Sequence, residues 1–433
     1  MSRELFGTDG VRGLYGQYPI DPVGAEKIGR AVGTRFAQAG QRIVVGRDPR
    51  ESSSELAAAL AKGLAAVGAN VGLAGVLPTP GLAYLTKTGG DFAAGVMITA
   101  SHNPREYNGF KVFDGNGDKL PDGSEAELNA LIEQAIPDRG AAGSVTDDDG
   151  LVKRYEDFLV GSADGLNLDG LKLAVDSANG AASGLAGRVF KRLGAQVTPL
   201  FDSPDGRNIN DGCGATNTAA LRAAVIDGQL ALGIALDGDA DRLMMVDDQG
   251  REVNGDHLLY LLAVAGQLNG VVATVMSNLG FEQSLQQHGI KLERVKVGDR
   301  YVLEGLAKTG YRLGGEQSGH IIFPELLKTG DGLLTAVQTV KALDASRKSL
   351  AQWRDEVKLL PQALVNIPLA DKQNLERSEA KAFIKQQEEQ LAGQGRLLIR
   401  PSGTEPLARV MVEAPDAETV ANNIAKELKE LVA

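Results

Sequence analysis

Three times along this 433-residue chain, a short apolar, β-rich run gives way to a helical pattern and then to another β-rich run. The first set predicts a strand over 42–45, a helix over 53–67, and strands over 70–74 and 93–98. The second predicts a strand over 171–175, a helix over 181–193 and a strand over 196–200. The third predicts a strand over 271–275, a helix over 281–288 and a strand over 292–295. Strands separated by helices build βαβ units and parallel sheets. The expectation is three similar α/β domains with mixed, mostly parallel sheets, over residues 1–153, 154–254 and 255–367. A charged helical stretch at 377–391 then opens a smaller piece, with strands over 397–400 and 408–412 and a helix over 416–431. Strands and helices segregate there, so residues 368–433 read as a C-terminal α+β domain.

Each α/β unit carries a polar, glycine-bearing or turn-rich loop directly after a predicted strand. These are TASHNP after 96–98, DGDADR after 232–236 and GGEQSGH after 311–313. Open α/β sheets bind ligands at the carboxyl ends of their strands. Three such loops at comparable positions predict one shared cleft.

Composition narrows what that cleft takes. Forty-five basic against 56 acidic residues leave a net charge of −11. A body this acidic repels polyphosphate, which argues against nucleic acid as a partner and confines any anion site to a local basic pocket. The single cysteine, Cys213, excludes an intramolecular disulfide and a cysteine-built zinc site. No Gly-Lys pair and no G-x-G-x-x-G occur, so neither a Walker A loop nor a dinucleotide fingerprint is present. Residues 63–86 carry no charge, but Pro78 and Pro80 make a membrane helix a poor reading. A helix end, a buried strand and a turn is the better one. Residues 1–10 lack the basic-then-apolar pattern of a signal peptide. A cytoplasmic protein with no membrane partner is expected.

Asp237, Asp239 and Asp241 stand at i, i+2 and i+4 in DGDADR. Three carboxylates so close repel one another unless a cation neutralises them, and hard oxygen ligands favour Mg²⁺ or Ca²⁺. An EF-hand is excluded, because Arg242 and Asp248 occupy its glycine and glutamate positions. A solvated acidic turn is the alternative, and the apolar run at 230–236 weighs against it. Ser101 in TASHNP lacks the G-x-S-x-G setting of a hydrolase nucleophile, and adjacent His102 is expected to point away from it. It reads either as a phosphoryl carrier beside a cation or as a turn bonded to itself. In RPSGTEP, Arg400, Ser402, Gly403 and Thr404 have the composition of a phosphate cradle or of a plain Pro-Ser-Gly turn. Glu316 and Ser318 would grip two sugar hydroxyls, with His320 to move a proton; the alternative for His320 is a packed side chain. Arg12, in FGTDGVRG, sits beside two glycines or in a terminal turn.

Taken together, FGTDGVRG, TASHNP, DGDADR, GEQSGH and RPSGTEP resemble the motifs of the α-D-phosphohexomutase family, in the family's order from residue 6 to 406. VGDRY at 297–301 and Gln317 are similar to the family's amino-sugar branch rather than its mannose and glucose mutases. One departure is Ala240, where many relatives carry glycine. The resemblance implies a four-domain, heart-shaped molecule that interconverts glucosamine 6-phosphate and glucosamine 1-phosphate. It implies Ser101 as a phosphoserine, and one Mg²⁺ held by Asp237, Asp239, Asp241 and the serine phosphate. It implies Arg242 and Lys111 facing the reacting phosphoryl group, Arg12 in the catalytic cleft, and His320 and Lys111 as proton carriers. Glu316 and Ser318 would hold sugar hydroxyls, and Arg400, Ser402, Gly403 and Thr404 the phosphate that does not react. A sugar bisphosphate such as glucosamine 1,6-bisphosphate would be the activator, a small phosphosugar the substrate, and a homodimer the assembly. Two rival classes share these residues, a metal-dependent sugar phosphatase and a silent sugar-phosphate sensor.

Overall fold

The structure is a computed structural model that describes residues 5–7, 10–38, 40–148, 150–369, 371–402 and 406–432. The chain divides into two compact units, Met1–Met276 with Ile290–Arg354, and Ser277–Gly289 with Asp355–Ala433.

The first unit holds three sheets. In the first, the parallel strands Arg42–Arg47, Asn70–Val76 and Phe92–Ile98 continue into antiparallel Tyr107–Asp114 and Val11–Leu14. Helices Pro22–Phe36 and Ser53–Ala66 cover one face and bury Ile28, Leu56 and Leu60 against Ile43 and Val45. Each such side chain contributes roughly 1.5–3 kcal/mol. The two helices meet at Gly29 and Gly63, where an added Cβ would lie 2.2 and 2.1 Å from a carbonyl oxygen of the other helix.

The second sheet runs Lys172–Asp176 and Gln196–Leu200 parallel beside Leu232–Leu236, then turns antiparallel through Leu243–Asp247 and Glu252–Val253. The third places Gly270–Thr274 between parallel Lys291–Val295 and Gly314–Gly315, with Ile321–Ile322 antiparallel at the edge.

In the second unit, Gln362–Pro368, Leu407–Glu413 and Arg396–Pro401 form an antiparallel sheet in that spatial order. Ile424 and Leu428 of helix Ala417–Leu431 pack on Val410 and Val412. Helix Leu279–Gln287 also belongs to this unit: Glu413, fully buried, accepts the Leu279 N–H at 2.8 Å, and an added Cβ on Gly280 would strike the Lys358 carbonyl at 2.0 Å.

Three expectations need correction. Residues 79–88 are a helix, Thr79–Thr88, rather than a turn, because Pro80 sits in its first turn, where no N–H is required. The strand expected at 311–313 lies in Gly314–Gly315, whose bare backbone fits against Val302 and Leu306; Tyr311 instead lays its ring over Gly270. The helix expected at 181–193 begins only at Leu185, after left-handed Ala178 and Asn179 turn the chain. Among the described residues, no helix is long and apolar enough to cross a membrane.

Candidate active site

The three post-strand loops of the first unit meet. Strand Phe92–Ile98 delivers Ser101, which is buried with φ 52°. Left-handed backbone costs a non-glycine residue roughly 1–2 kcal/mol. Its amide donates to Thr99 Oγ1 at 2.9 Å, and that hydroxyl donates to Asp48 Oδ2 at 2.7 Å. The Ser101 hydroxyl donates to Asp237 Oδ2 at 2.8 Å.

The left-handed turn also corrects the expectation for His102. Neighbouring side chains diverge on a strand, but here His102 Nδ1 lies 3.2 Å from Ser101 Oγ. Arg242 Nη1 donates to the same nitrogen at 3.0 Å. Burial, with the charges of Arg242 and Arg12, pushes His102 down to about 4. It is neutral at physiological pH, with its Nδ1 lone pair already engaged.

Strand Leu232–Leu236 is buried throughout and delivers Asp237, Asp239 and Asp241. One oxygen from each falls within 4.8 Å of the others, and all three residues are buried. Ala240 takes φ 57°, so alanine adopts the backbone that glycine would supply. The loop's carbonyls are tied down from three directions: Ala181 N–H donates to Gly238 O at 2.8 Å, Thr79 to Asp239 O at 3.0 Å, and Gly332 to Ala240 O at 2.9 Å. Burial, then Asp241 and Asp239, hold the Asp237 carboxyl well above the usual range. Burial raises Asp241 too, but the charge of Lys111 and contact with His320 outweigh it and hold Asp241 well below. Asp239 Oδ1 and Asp241 Oδ1 are buried without a hydrogen-bond partner. Two orphaned carboxylate oxygens in one buried cluster of three aspartates fit a hard divalent cation.

Lys111, on strand Tyr107–Asp114, places Nζ 2.9 Å from Asp239 Oδ2 and 3.3 Å from Asp241 Oδ2. Arg12 stands opposite Gly109 on the neighbouring strand, and a Cβ on Gly109 would come within 3.0 Å of its Cγ. His320 is buried, with Nδ1 3.7 Å from Asp241 and Nε2 3.7 Å from Asp299. Gly330 N–H donates to Nε2 at 3.1 Å, which sets the neutral ring's proton on Nδ1, facing Asp241. Burial lowers the pKa of His320, but Asp241 and Asp299 outweigh it and the net shift is upward. Glu316 accepts from Gly298 N–H at 3.1 Å and from the Ser318 hydroxyl at 3.2 Å, so these two polar groups sit side by side.

Arg400 and Ser402 lie in the second unit. Arg400 pairs directly with Arg409 across the antiparallel strands. Burial, then Arg409, lower the pKa of Arg400. Ser402 is buried and its amide donates to Leu407 O at 2.8 Å. Gly403 and Thr404 lie outside the described residues.

Sequence reasoning missed Arg409, Asp48, Thr79, Asn210 and Arg50. Arg50 is 1% exposed and donates through Nε to Asp48 at 2.9 Å. The missed signal is GRDPRESS, a fourth polar loop following a predicted strand.

Four family models match the chain. They are described as Phosphoglucomutase/phosphomannomutase alpha/beta/alpha domains I, II and III and C-terminal domain, over residues 3–138, 153–250, 254–359 and 364–430. The chain is 44% identical over 441 residues to the phosphoglucosamine mutase of Alcanivorax borkumensis, covering 100% of this chain and 99% of that one. It is 47% identical over 433 residues to the phosphoglucosamine mutase of Thermus thermophilus, covering 99% and 98%. A crystal structure of a phosphoglucomutase/phosphomannomutase family protein from Burkholderia thailandensis matches with a TM-score of 0.81 at 27% identity, over 99% of this chain and 96% of that one.

Proposed function

We propose, from the premise that this chain belongs to the phosphoglucomutase/phosphomannomutase family, that it is a phosphoserine mutase interconverting glucosamine 6-phosphate and glucosamine 1-phosphate. The observation that carries this reading is the buried hydrogen bond from the Ser101 hydroxyl to Asp237, inside a cluster of three aspartates. A serine bonded to a cation-ready carboxylate is where a phosphoryl group is best received. Phosphoryl transfer needs alignment and charge neutralisation more than covalent machinery.

In the proposed cycle, O1 of glucosamine 6-phosphate attacks the phosphorus carried on Ser101. The P–Oγ bond breaks, the P–O1 bond forms, and the O1 proton leaves through Lys111 or His320. The bisphosphorylated sugar turns over. O6 then gives its phosphoryl group back to Ser101 Oγ and regains a proton, leaving glucosamine 1-phosphate. Asp237, Asp239, Asp241 and the serine phosphate would hold one Mg²⁺, which draws charge from the phosphoryl oxygens when bound. Arg242 and Arg12 would face that group. Glu316 and Ser318 take sugar hydroxyls, while Arg400, Ser402, Gly403, Thr404 and the facing Arg409 take the phosphate that does not react. A trace of glucosamine 1,6-bisphosphate would restore any enzyme that loses its phosphate.

The test is a coupled assay on glucosamine, glucose and mannose phosphates, with Mg²⁺ and a trace of sugar bisphosphate. Isomerisation fastest on glucosamine phosphate is expected. Phosphate release without isomerisation would make the protein a phosphatase and overturn the reading.

A further inference from the structure

Two side chains outside the proposed chemistry converge on the backbone of the serine loop. Arg50 Nη2 donates to the carbonyls of Ser101 at 3.0 Å and Asn103 at 2.8 Å. Its Nη1 donates to those of Pro104 at 2.5 Å and Tyr107 at 3.1 Å. Asn210, on a loop that follows the second sheet's strand Gln196–Leu200, donates through Nδ2 to the same two carbonyls, Ser101 at 2.9 Å and Asn103 at 3.2 Å. The metal loop closes the third side: a Cβ on Gly238 would lie 2.5 Å from the Ser101 carbonyl oxygen and 2.8 Å from Asn210 Nδ2.

We infer that Arg50 and Asn210 form a clasp that holds Ser101 in its left-handed conformation, and that both are positioning residues for phosphoryl transfer. The inference rests on the mutase reading of Ser101. The clasp acts through shape rather than charge. Asp48 neutralises Arg50 at 2.9 Å, and both side chains are fully buried. What remains is a planar fork that satisfies four carbonyls, which an ammonium group cannot reproduce. Ser101 alternates between hydroxyl and phosphoester, and its bonding through Oγ changes each time. The carbonyl side is bonded by groups that take no part in the transfer, so in the proposed cycle the clasp would be the fixed reference for the moving group. Asn210 itself has φ 58°, a conformation asparagine tolerates.

The test uses the full-length chain as Arg50→Lys and Asn210→Gly. Glycine removes the amide without straining the left-handed backbone, and covers the case in which the arginine variant fails to fold. Two readouts are taken beside wild type: kcat and KM for the phosphosugar, and amide hydrogen exchange of a peptide spanning 99–107. With the clasp loosened, kcat is expected to fall about tenfold in Asn210→Gly and about a hundredfold in Arg50→Lys, as misplacement of reacting groups does, with KM nearly unchanged. Exchange should accelerate in that peptide and not across the chain. Wild-type exchange there, full kcat in Asn210→Gly, or a rescue by lysine would overturn the clasp. A wild type without mutase turnover, with exchange faster in both variants, would leave the clasp standing as a structural device and remove the reading of Ser101 instead.

Discussion

Around Ser101, opposite charges are packed against one another: Lys111 on Asp239 and Asp241, His320 between Asp241 and Asp299, Asp48 on Arg50. In the second unit the arrangement is reversed, and Arg400 faces Arg409 across adjacent strands. Like charges directly opposed on a sheet destabilise it by a few tenths to about 1 kcal/mol. In the proposed function the first region serves the transfer step, and an anion bound at the second would relieve its like charges. The contrast would then separate two uses of charge in one acidic chain, rate at one place and affinity at the other.

The largest expected effect tests the first region at its centre. Ser101→Ala should lower mutase turnover by at least about a thousandfold, as loss of a nucleophile does, while the protein still folds. Intact-mass analysis should find one phosphate on wild type and none on the variant; near-normal turnover would remove Ser101 as the carrier. Next is Asp239→Asn, which takes one anionic ligand from the cluster. Activity and apparent Mg²⁺ affinity should drop together by about 10- to 100-fold, and full activity of chelator-treated wild type would refute the metal assignment. Gly238→Ala probes the spacing between the serine and metal loops, because the new methyl meets the Ser101 carbonyl. A kcat loss of about tenfold with KM held is expected; a wild-type kcat would show that the loops are spaced by something else. Smallest is Arg400→Lys, which keeps charge and loses the fork. KM should rise about tenfold with kcat less affected, matching a contact worth roughly 1.5–3 kcal/mol made mainly in the ground state. If kcat falls instead while KM holds, the division between rate and affinity does not follow the two regions.

The sequence was most legible where periodicity contrasts sharply. Strands such as Leu232–Leu236 are apolar throughout and bounded by turn residues, so the loop beginning at Asp237 could be placed at a strand end. The antiparallel strands carrying Arg12 and Lys111 were not read, since YNGFKVFD mixes polar and apolar residues. Lys111 entered only through the family resemblance, and Arg12 only as a residue beside two glycines. Gly314–Gly315 has no β-propensity to read, and only its neighbours make it a strand. Arg50 and Asn210 were passed over for a different reason. A charged or amide residue in a polar loop reads as solvated, and burial is decided by tertiary contacts far along the chain: Arg50 is 51 positions from the Ser101 carbonyl it holds, and Asn210 is 109 positions from it.

The second unit takes its helix Leu279–Gln287 from the middle of the chain and its sheet from the end. The bond from Leu279 to Glu413 spans 134 residues. During synthesis, then, this helix emerges long before the strand that will receive it and must wait while residues of the other unit are made. A fragment starting at Asp355 would leave Glu413 without the Leu279 N–H and expose the backbone that Gly280 covers. The stretch from Asp355 onward is thus no self-sufficient module for grafting or separate expression, despite looking like one on paper. Loop closure over such separations slows folding more than it weakens the folded state, so this unit should be the last to reach its native contacts.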